Sequence, residues 1–376
     1  MDFNRYFASR RGELLNTLKQ VVALESPTSD KKAVDTCAAF VMNEFKKTGA
    51  RITRFPQKDI GDLHLVEYAP GSLKSEPERI LVLTHIDTVW PVGKLGTMPY
   101  YVSGEKVFGP GALDMKAGVV MSLFALCTLR QLGIAPTKRI SVFINSAEET
   151  GHDAPHAVIK DLARKSSLVL CLEPALPGGA LKLERKGRLV VRLEARGRSA
   201  HAGSPEKGVN AIEELVIQIA RLKKIRTGEV TANVGVCSGG ENANMVPDSA
   251  QAILDVRFWR SADRERVRTY FRELQPAVKG AKIKAVLENP TPPMEKTRAS
   301  MELFARACRI AEGLGQSLKG GKTGGGSDAS IASGLGLPTL DGLGPDGDGL
   351  HAEHEHVIIP SFVERTALLT ELLAKL

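Results

Sequence analysis

Histidine and carboxylate side chains recur along this 376-residue chain at the ends of apolar runs or in glycine-rich turns: His85, Asp87, Asp114, Glu148, Glu149, Glu173 and His351. A strand end, or a turn beside one, is where a rigid scaffold presents a polar side chain to a shared cleft. Imidazole and carboxylate together suit a divalent cation, zinc above all. The set holds more carboxylates than one ion needs, and a carboxylate can bridge two ions.

Taken singly, the residues carry different amounts of information. His85 and Asp87 are two apart at a strand end, so both point to one face. An Asp beside a His commonly orients a ligating imidazole. Asp114 falls between the glycines at 109 and 111 and a predicted helix, where an ordinary helix N-cap is the competing reading. Glu148 and Glu149 are adjacent, so a turn must bend if both are to serve one site. One of them could bind a metal while the other moves a proton. Glu173 closes an apolar run just before Pro174, where an isolated buried charge would be costly. His351 lies in an acidic, His-rich tract at 349–356, in which not all the histidines can be ligands. His152, His156, His354 and His356 are read as surface residues and His64 as structural.

The elements that must hold these residues follow from periodicity. Helices are expected over 6–24, 33–45, from 116 onward, 300–313 and 359–376. Strands are expected over 51–55, 63–68, 79–83, 138–145 and 167–172. Strands alternating with helices argue for an α/β fold with polar groups at strand C-terminal ends. The texture changes near Pro177-Gly178-Gly179 to strand, helix, strand, strand, helix, strand, and stops at Pro292-Pro293. The expected organisation is therefore a central mixed sheet flanked by helices, residues 1–180 and 291–376, with an inserted smaller α+β domain at 181–290.

The composition, 43% hydrophobic and 25% charged, is that of an ordinary globular protein. The apolar run 118–129 is too short for a membrane span and is expected to be a buried helix. The start Met1-Asp2-Phe3 lacks an apolar signal core, so no export signal is expected. Five well-separated cysteines are read as reduced and mostly buried, which fits a cytoplasmic protein. The net charge of +8 lies in one segment: residues 181–290 carry 21 Lys and Arg against 13 Asp and Glu. A solvated basic face explains this most simply, and attraction of anionic substrates is the sharper alternative. With 5% aromatics and no basic-aromatic motif, nucleic acid is not an expected partner.

In order along the chain, Thr84-His85-Ile86-Asp87-Thr88-Val89, Gly109-Pro110-Gly111-Ala112-Leu113-Asp114-Met115-Lys116, Ala147-Glu148-Glu149-Thr150-Gly151, Leu172-Glu173-Pro174 and Gly349-Leu350-His351 resemble the motifs of one family. It is the co-catalytic zinc metallopeptidase family that includes glutamate carboxypeptidases, aminoacylases, acetylornithine deacetylase and succinyl-diaminopimelate desuccinylase. The resemblance covers nearly the whole chain. It implies two zinc ions per subunit, replaceable by cobalt or manganese, bridged by Asp114. His85 and Glu173 would complete one position, and Glu149 and His351 the other. Glu148 would be the general base and Asp87 the group that orients His85. A cis peptide at Asp114–Met115 is also implied.

The insertion carries further similarities. The stretch 197–203 resembles the motif whose histidine, here His201, stabilises an oxyanion, often across a dimer interface. Asn244 and Arg257 fall in stretches similar to substrate-carboxylate elements. Gly325, in Gly324-Gly325-Gly326-Ser327-Asp328-Ala329, resembles the glutamate-carboxypeptidase branch. Relatives on that branch often carry Arg where this chain has Thr291. The implied activity is hydrolysis of the amide bond of N-acyl amino acids or short peptides with a free carboxylate, by a homodimer that binds no membrane. A deacetylase or desuccinylase is the alternative within the family. From other classes, a two-metal phosphoester hydrolase and a non-catalytic dimeric binding protein remain.

Overall fold

In the computed structural model, which describes residues 1–69 and 78–376, the five strands expected in the first segment line up with an unforeseen sixth, Thr339–Leu340, as one mixed six-stranded sheet. The order is Arg51–Phe55, Leu63–Tyr68, Arg139–Asn145, Arg79–His85, Leu168–Cys171, Thr339–Leu340. The first two strands run antiparallel to each other, and the second antiparallel to the third. The remaining pairings are parallel. His85 pairs with Asn145 in the last rung of the central pair. Four parallel strands thus end together, and His85, Glu148, Glu149 and Glu173 lie at or just past those ends, the usual place for a site in such sheets.

Helices cover the sheet because their apolar residues recur at helical spacing. In Lys31–Lys46, Val34, Cys37, Ala38, Val41, Met42 and Phe45 are buried, and Asp30 caps the start by accepting from Ala33 N–H at 3.0 Å. Ala117–Gln131 is buried on nearly every side, as expected for a core helix. With the turn before it, this segment is long and apolar enough to cross a membrane, but it packs in the core with Ile359–Lys375. The single helix expected over 6–24 is two, Phe3–Ser9 and Arg11–Ala23, broken at Arg10.

Two compact units divide the chain. Residues 1–183, 296–322 and 327–376 form the first, and residues 184–295 with 323–326 the second. The second unit therefore runs past the expected boundary at 290 and also takes the four residues Thr323–Gly326. Arg185 explains this, because its Nη1 donates to the carbonyls of Gly326 and Gly325 at 2.8 and 3.2 Å. The second unit is an antiparallel sheet in the order Val230–Gly239, Ser249–Phe258, Gly187–Arg196, Lys282–Thr291. Its buried face, with Leu189, Val191, Leu193, Leu254 and Val256, packs against Leu215 of helix Ala211–Arg221 and against Val267 and Phe271 of helix Ser261–Arg272.

Some elements depart from the sequence reading. Gly320–Thr323, whose glycines argue for a turn, is a strand paired with Leu181–Arg185. Gly320 lies so close to Leu183 that an added Cβ would sit 2.1 Å from its Cδ1, so a larger residue there would have to push the Leu183 side chain aside. A small antiparallel sheet, Gly347–Asp348, His356–Ile358, Lys106–Phe108 and Tyr101–Ser103, was not foreseen. It makes His356 a buried residue whose ring lies against Phe108, correcting its surface assignment. Of the five free cysteines only Cys37 and Cys171 are buried, and Cys237 is exposed, so "mostly buried" was too strong.

Candidate metal centre

All seven residues with which the sequence reading began belong to the first unit. His85 is 1% exposed at the end of its strand. Its Nδ1 is 3.0 Å from the Asp87 carbonyl oxygen, which can only accept, so Nδ1 carries the proton of the neutral ring. That leaves Nε2 facing Asp114 Oδ1 at 3.2 Å and Glu173 Oε1 at 3.6 Å. The second oxygen of Asp114 faces His351 Nε2 at 3.4 Å, and the same nitrogen lies 3.2 Å from Glu149 Oε2. One carboxylate therefore presents its two oxygens to two different imidazoles.

Local backbone chemistry explains how each group arrives. Gly111 has φ +69°, and a Cβ there would lie 2.4 Å from Thr88 Cγ2. This turn delivers Asp114, whose peptide bond to Met115 is cis. Asp114 has φ −113° and ψ 97°, which is not helical, and the regular helix begins only at Ala117. The residue that caps this helix is Lys116, with no side-chain cap hydrogen bond, and the Asp114 carboxylate faces His85 and His351 instead, so the N-cap explanation for Asp114 does not apply. His351 has φ +59°, a region that costs a non-glycine residue energy and is found disproportionately at functional sites. The small sheet fixes this turn, since His351 lies between its strands Gly347–Asp348 and His356–Ile358.

Asp87 does more than the sequence suggested. Its carboxylate, fully buried, is 3.4 Å from His85 Nδ1. It also accepts from the backbone N–H groups of Glu148 and Glu149, each at 3.2 Å, and from Thr28 Oγ1 at 2.7 Å. One carboxylate thus orients the imidazole and bends the turn that lets adjacent glutamates serve one site.

Three further residues went unnoticed as site residues. Glu355, 1% exposed, accepts four hydrogen bonds: from Trp90 Nε1 and Gly111 N–H at 2.9 Å on one oxygen, and from Leu113 and Asp114 N–H at 2.9 and 3.1 Å on the other. It ties the tract that carries His351 to the loop that carries Asp114. Asp328 is buried and accepts from Asn145 Nδ2 at 2.7 Å. Lys182 is buried with Nζ 3.8 Å from Glu173 Oε2.

The electrostatics are those of acids and bases packed out of water. Burial pulls the His85 imidazole down, but Asp114, Asp87 and Glu173 outweigh it and hold the group well above its ordinary value. Asp114 and Glu149 raise His351 to about 10. Burial works to raise Asp114, yet His351 and His85 hold it far below the usual carboxylate range. Burial and the neighbouring Glu173 push Glu148 well above its ordinary value. Burial also raises Glu149, and it takes Asp328 to about 7. A carboxyl held near neutrality beside deprotonated neighbours is suited to moving a proton.

The donor set fits a divalent metal. Atoms of His85, Asp114 and Glu149 lie within 4.8 Å of one another, as do atoms of His85, Glu148 and Glu173. Neutral imidazole nitrogen and carboxylate oxygen are what zinc accepts, and the two-sided Asp114 can serve two ions.

The remaining predicted residues are in the second unit, in two separate groups. His201 is exposed on a short strand, Ala200–His201, paired with Met245–Val246, and its Nδ1 accepts from Gly203 N–H at 3.0 Å. Asn244 is beside it, its carbonyl accepting from Ala202 N–H at 2.8 Å. Arg257 forms the other group. Its Nε donates to Asp255 at 2.9 Å and its Nη1 to the Gly324 carbonyl at 2.7 Å, next to Gly325. Thr291 is opposite Arg188, and Arg188 is opposite Arg257 in the next pair, so the three form one row across neighbouring strands.

The model of the peptidase family M20/M25/M40 matches residues 81–375. Carboxypeptidase G2 of Pseudomonas sp. (strain RS-16) is 29% identical over 372 residues, 96% of this chain and 89% of that protein. Among solved structures, the aminopeptidase PepT of Bacillus cereus superposes with a TM-score of 0.78 at 22% identity, covering 97% of this chain and 98% of that one. The Bacillus subtilis protein YXEP, described as a dinuclear metal-binding peptidase, superposes with a TM-score of 0.75 at 14% identity, covering 98% of both chains. These two likenesses establish the fold. The family match, which spans every motif of the first unit from His85 to His351, shows that this chain is a hydrolase of the metal-dependent peptidase family M20/M25/M40.

Proposed function

We propose that the protein is a two-zinc hydrolase that cleaves the amide bond of N-acyl amino acids or short peptides bearing a free carboxylate. The observation that carries this reading is Asp114, with one oxygen toward His85 and the other toward His351. In the proposed assignment His85, Asp114 and Glu173 hold one ion, and Asp114, Glu149 and His351 the other. Bound there, the metals would supply Lewis acidity toward the scissile carbonyl and make a water molecule acidic enough to attack at neutral pH.

The side chains then have distinct tasks. Glu148 takes the proton of the attacking water and returns it to the leaving amine, a role supported by its burial and raised proton affinity. Asp87 keeps the Glu148 and Glu149 turn in place and holds His85 in one tautomer. His201 is assigned the oxyanion, and Asn244, Arg257 and Gly325 the substrate's carboxylate end, on the strength of their motifs. Arg257 spends Nε and one Nη2 hydrogen on Asp255 and one Nη1 hydrogen on Gly324, which leaves one hydrogen on each Nη for a ligand.

A homodimer built through the second unit is part of the proposal. Its helix Ala211–Arg221 exposes Ile212, Val216 and Ile217, and its edge strand Val230–Gly239 exposes Val236. Exposed apolar side chains beside an unpaired strand edge favour association with another copy.

A panel of N-acyl amino acids, dipeptides and phosphate monoesters and diesters, incubated with zinc-loaded protein and read by mass spectrometry, tests the reading. Amide cleavage that releases a free amino acid is expected. Turnover confined to the phosphate esters would replace it with the phosphoester-hydrolase alternative.

A further inference from the structure

Lys182 is a cation built into the wall of a site otherwise made of histidines and carboxylates. It is 5% exposed. Its backbone N–H donates to the Asp341 carbonyl at 2.8 Å, and Gly342 lies so close that a Cβ there would meet Lys182 Cγ at 3.2 Å. The stem is therefore held, and Nζ lies 3.8 Å from Glu173 Oε2. The other oxygen of that carboxylate is the one 3.6 Å from His85 Nε2. Among the described residues, Glu149 pairs with His351 and with no lysine or arginine.

We propose that Lys182 makes the two metal positions unequal: its ammonium weakens the position built on His85 and Glu173 relative to that built on Glu149 and His351, so the second ion binds beside Glu173 last. This rests on the two-metal reading above. The physical reason is repulsion between a fixed ammonium and a dication that share one carboxylate. Like charges a few ångströms apart in a site shielded from water repel strongly, and salt screens them little. The ammonium also withdraws charge from Glu173, so the carboxylate offers less to the ion. A graded pair of affinities would let the chain hold one ion firmly while the other exchanges.

The test is a zinc titration of metal-free protein against a chromophoric chelator, with zinc per chain measured by elemental analysis. It compares the wild type with Lys182→Met, which keeps the stem and removes the charge, and Lys182→Arg, which keeps the charge. The wild type is expected to bind two zinc ions in separate steps. Lys182→Met should tighten the weaker step by about tenfold or more and leave the tighter step nearly unchanged, while Lys182→Arg keeps the gap. Equal wild-type affinities, or a weaker step that Lys182→Met leaves alone or loosens, would overturn the proposal. Should Lys182→Met fail to fold, Lys182→Gln takes its place, and the wild-type titration by itself still decides whether the steps differ. One zinc or none in every variant would instead defeat the two-metal reading itself.

Discussion

Replacing Glu355 by glutamine should damage the site without touching any proposed ligand. Four donors converge on the Glu355 carboxylate, which is 1% exposed: Trp90 Nε1, and the backbone N–H groups of Gly111, Leu113 and Asp114. A glutamine has one acceptor oxygen, so it satisfies the two donors on one side. Its NH2 then faces the two on the other. A buried donor left unpaired costs about 1–3 kcal/mol, so two cost about 2–6 kcal/mol, a large part of the roughly 5–15 kcal/mol that holds a typical domain together. Trp90→Phe removes only one donor and should cost about 1 kcal/mol. Urea unfolding in the presence of a chelator reads these losses without help from bound metal. The same variants should bind zinc more weakly, because the loop presenting Asp114 loses its anchor to the His351 tract. A Glu355→Gln protein within about 0.5 kcal/mol of wild type, with normal zinc affinity, would refute the strut.

Four other outcomes are expected. Glu148→Gln should retain its metal and lose about 10²–10⁴-fold in turnover, measured on whichever amide the panel identifies; near-normal rates would reassign the base. In metal-free protein His351 is raised from 6.5 to about 10, so its ion pairs stabilise fully below about pH 6.5 and the contribution fades as pH climbs toward 10. His351→Gln should flatten that part of a stability-against-pH curve, and zinc uptake near neutral pH should release protons measurable in weakly buffered solution. Asp62, held near 2 by Lys31, Gln57 N–H and Arg54 against its burial, should contribute stability above about pH 4 that disappears as pH falls toward 2, and Asp62→Asn should lose that dependence. Mixing His201→Ala with Glu148→Gln should restore partial activity if His201 serves its partner's cleft, and no recovery despite proven subunit exchange would place it elsewhere.

His85, Glu148, Glu149 and Glu173 were legible because they close or follow apolar runs, and the end of a strand is a position that periodicity reveals, whereas Asp114 and His351 stood out only through their glycine-rich turns. His85 pairs with Asn145 in the last rung of the central strands, which is where the pattern put it. Glu355 was not legible. It lies in an acidic, His-rich tract that reads as a solvated turn, and its donors are at positions 90 and 111–114, more than 240 residues back. Lys182 and Asp328 were hidden for the same reason, since a charged residue signals burial only through partners distant in sequence. His356 was misread because a three-residue strand is too short to show alternation. Gly320–Thr323 was not legible as a strand because glycine argues for a turn, whereas here its missing side chain leaves room for Leu183 of the paired strand.

The central claim is that Asp114 bridges two metals while Glu148 stays free to move protons. Anomalous diffraction at the zinc edge from zinc-loaded crystals tests it most directly. Two peaks about 3.5–4 Å apart are predicted, one on each side of Asp114, the first beside His85 and Glu173 and the second beside Glu149 and His351. A single peak enclosed by His85, Glu148 and Glu173, a grouping the donor atoms also permit, would make Glu148 a ligand and contradict the account.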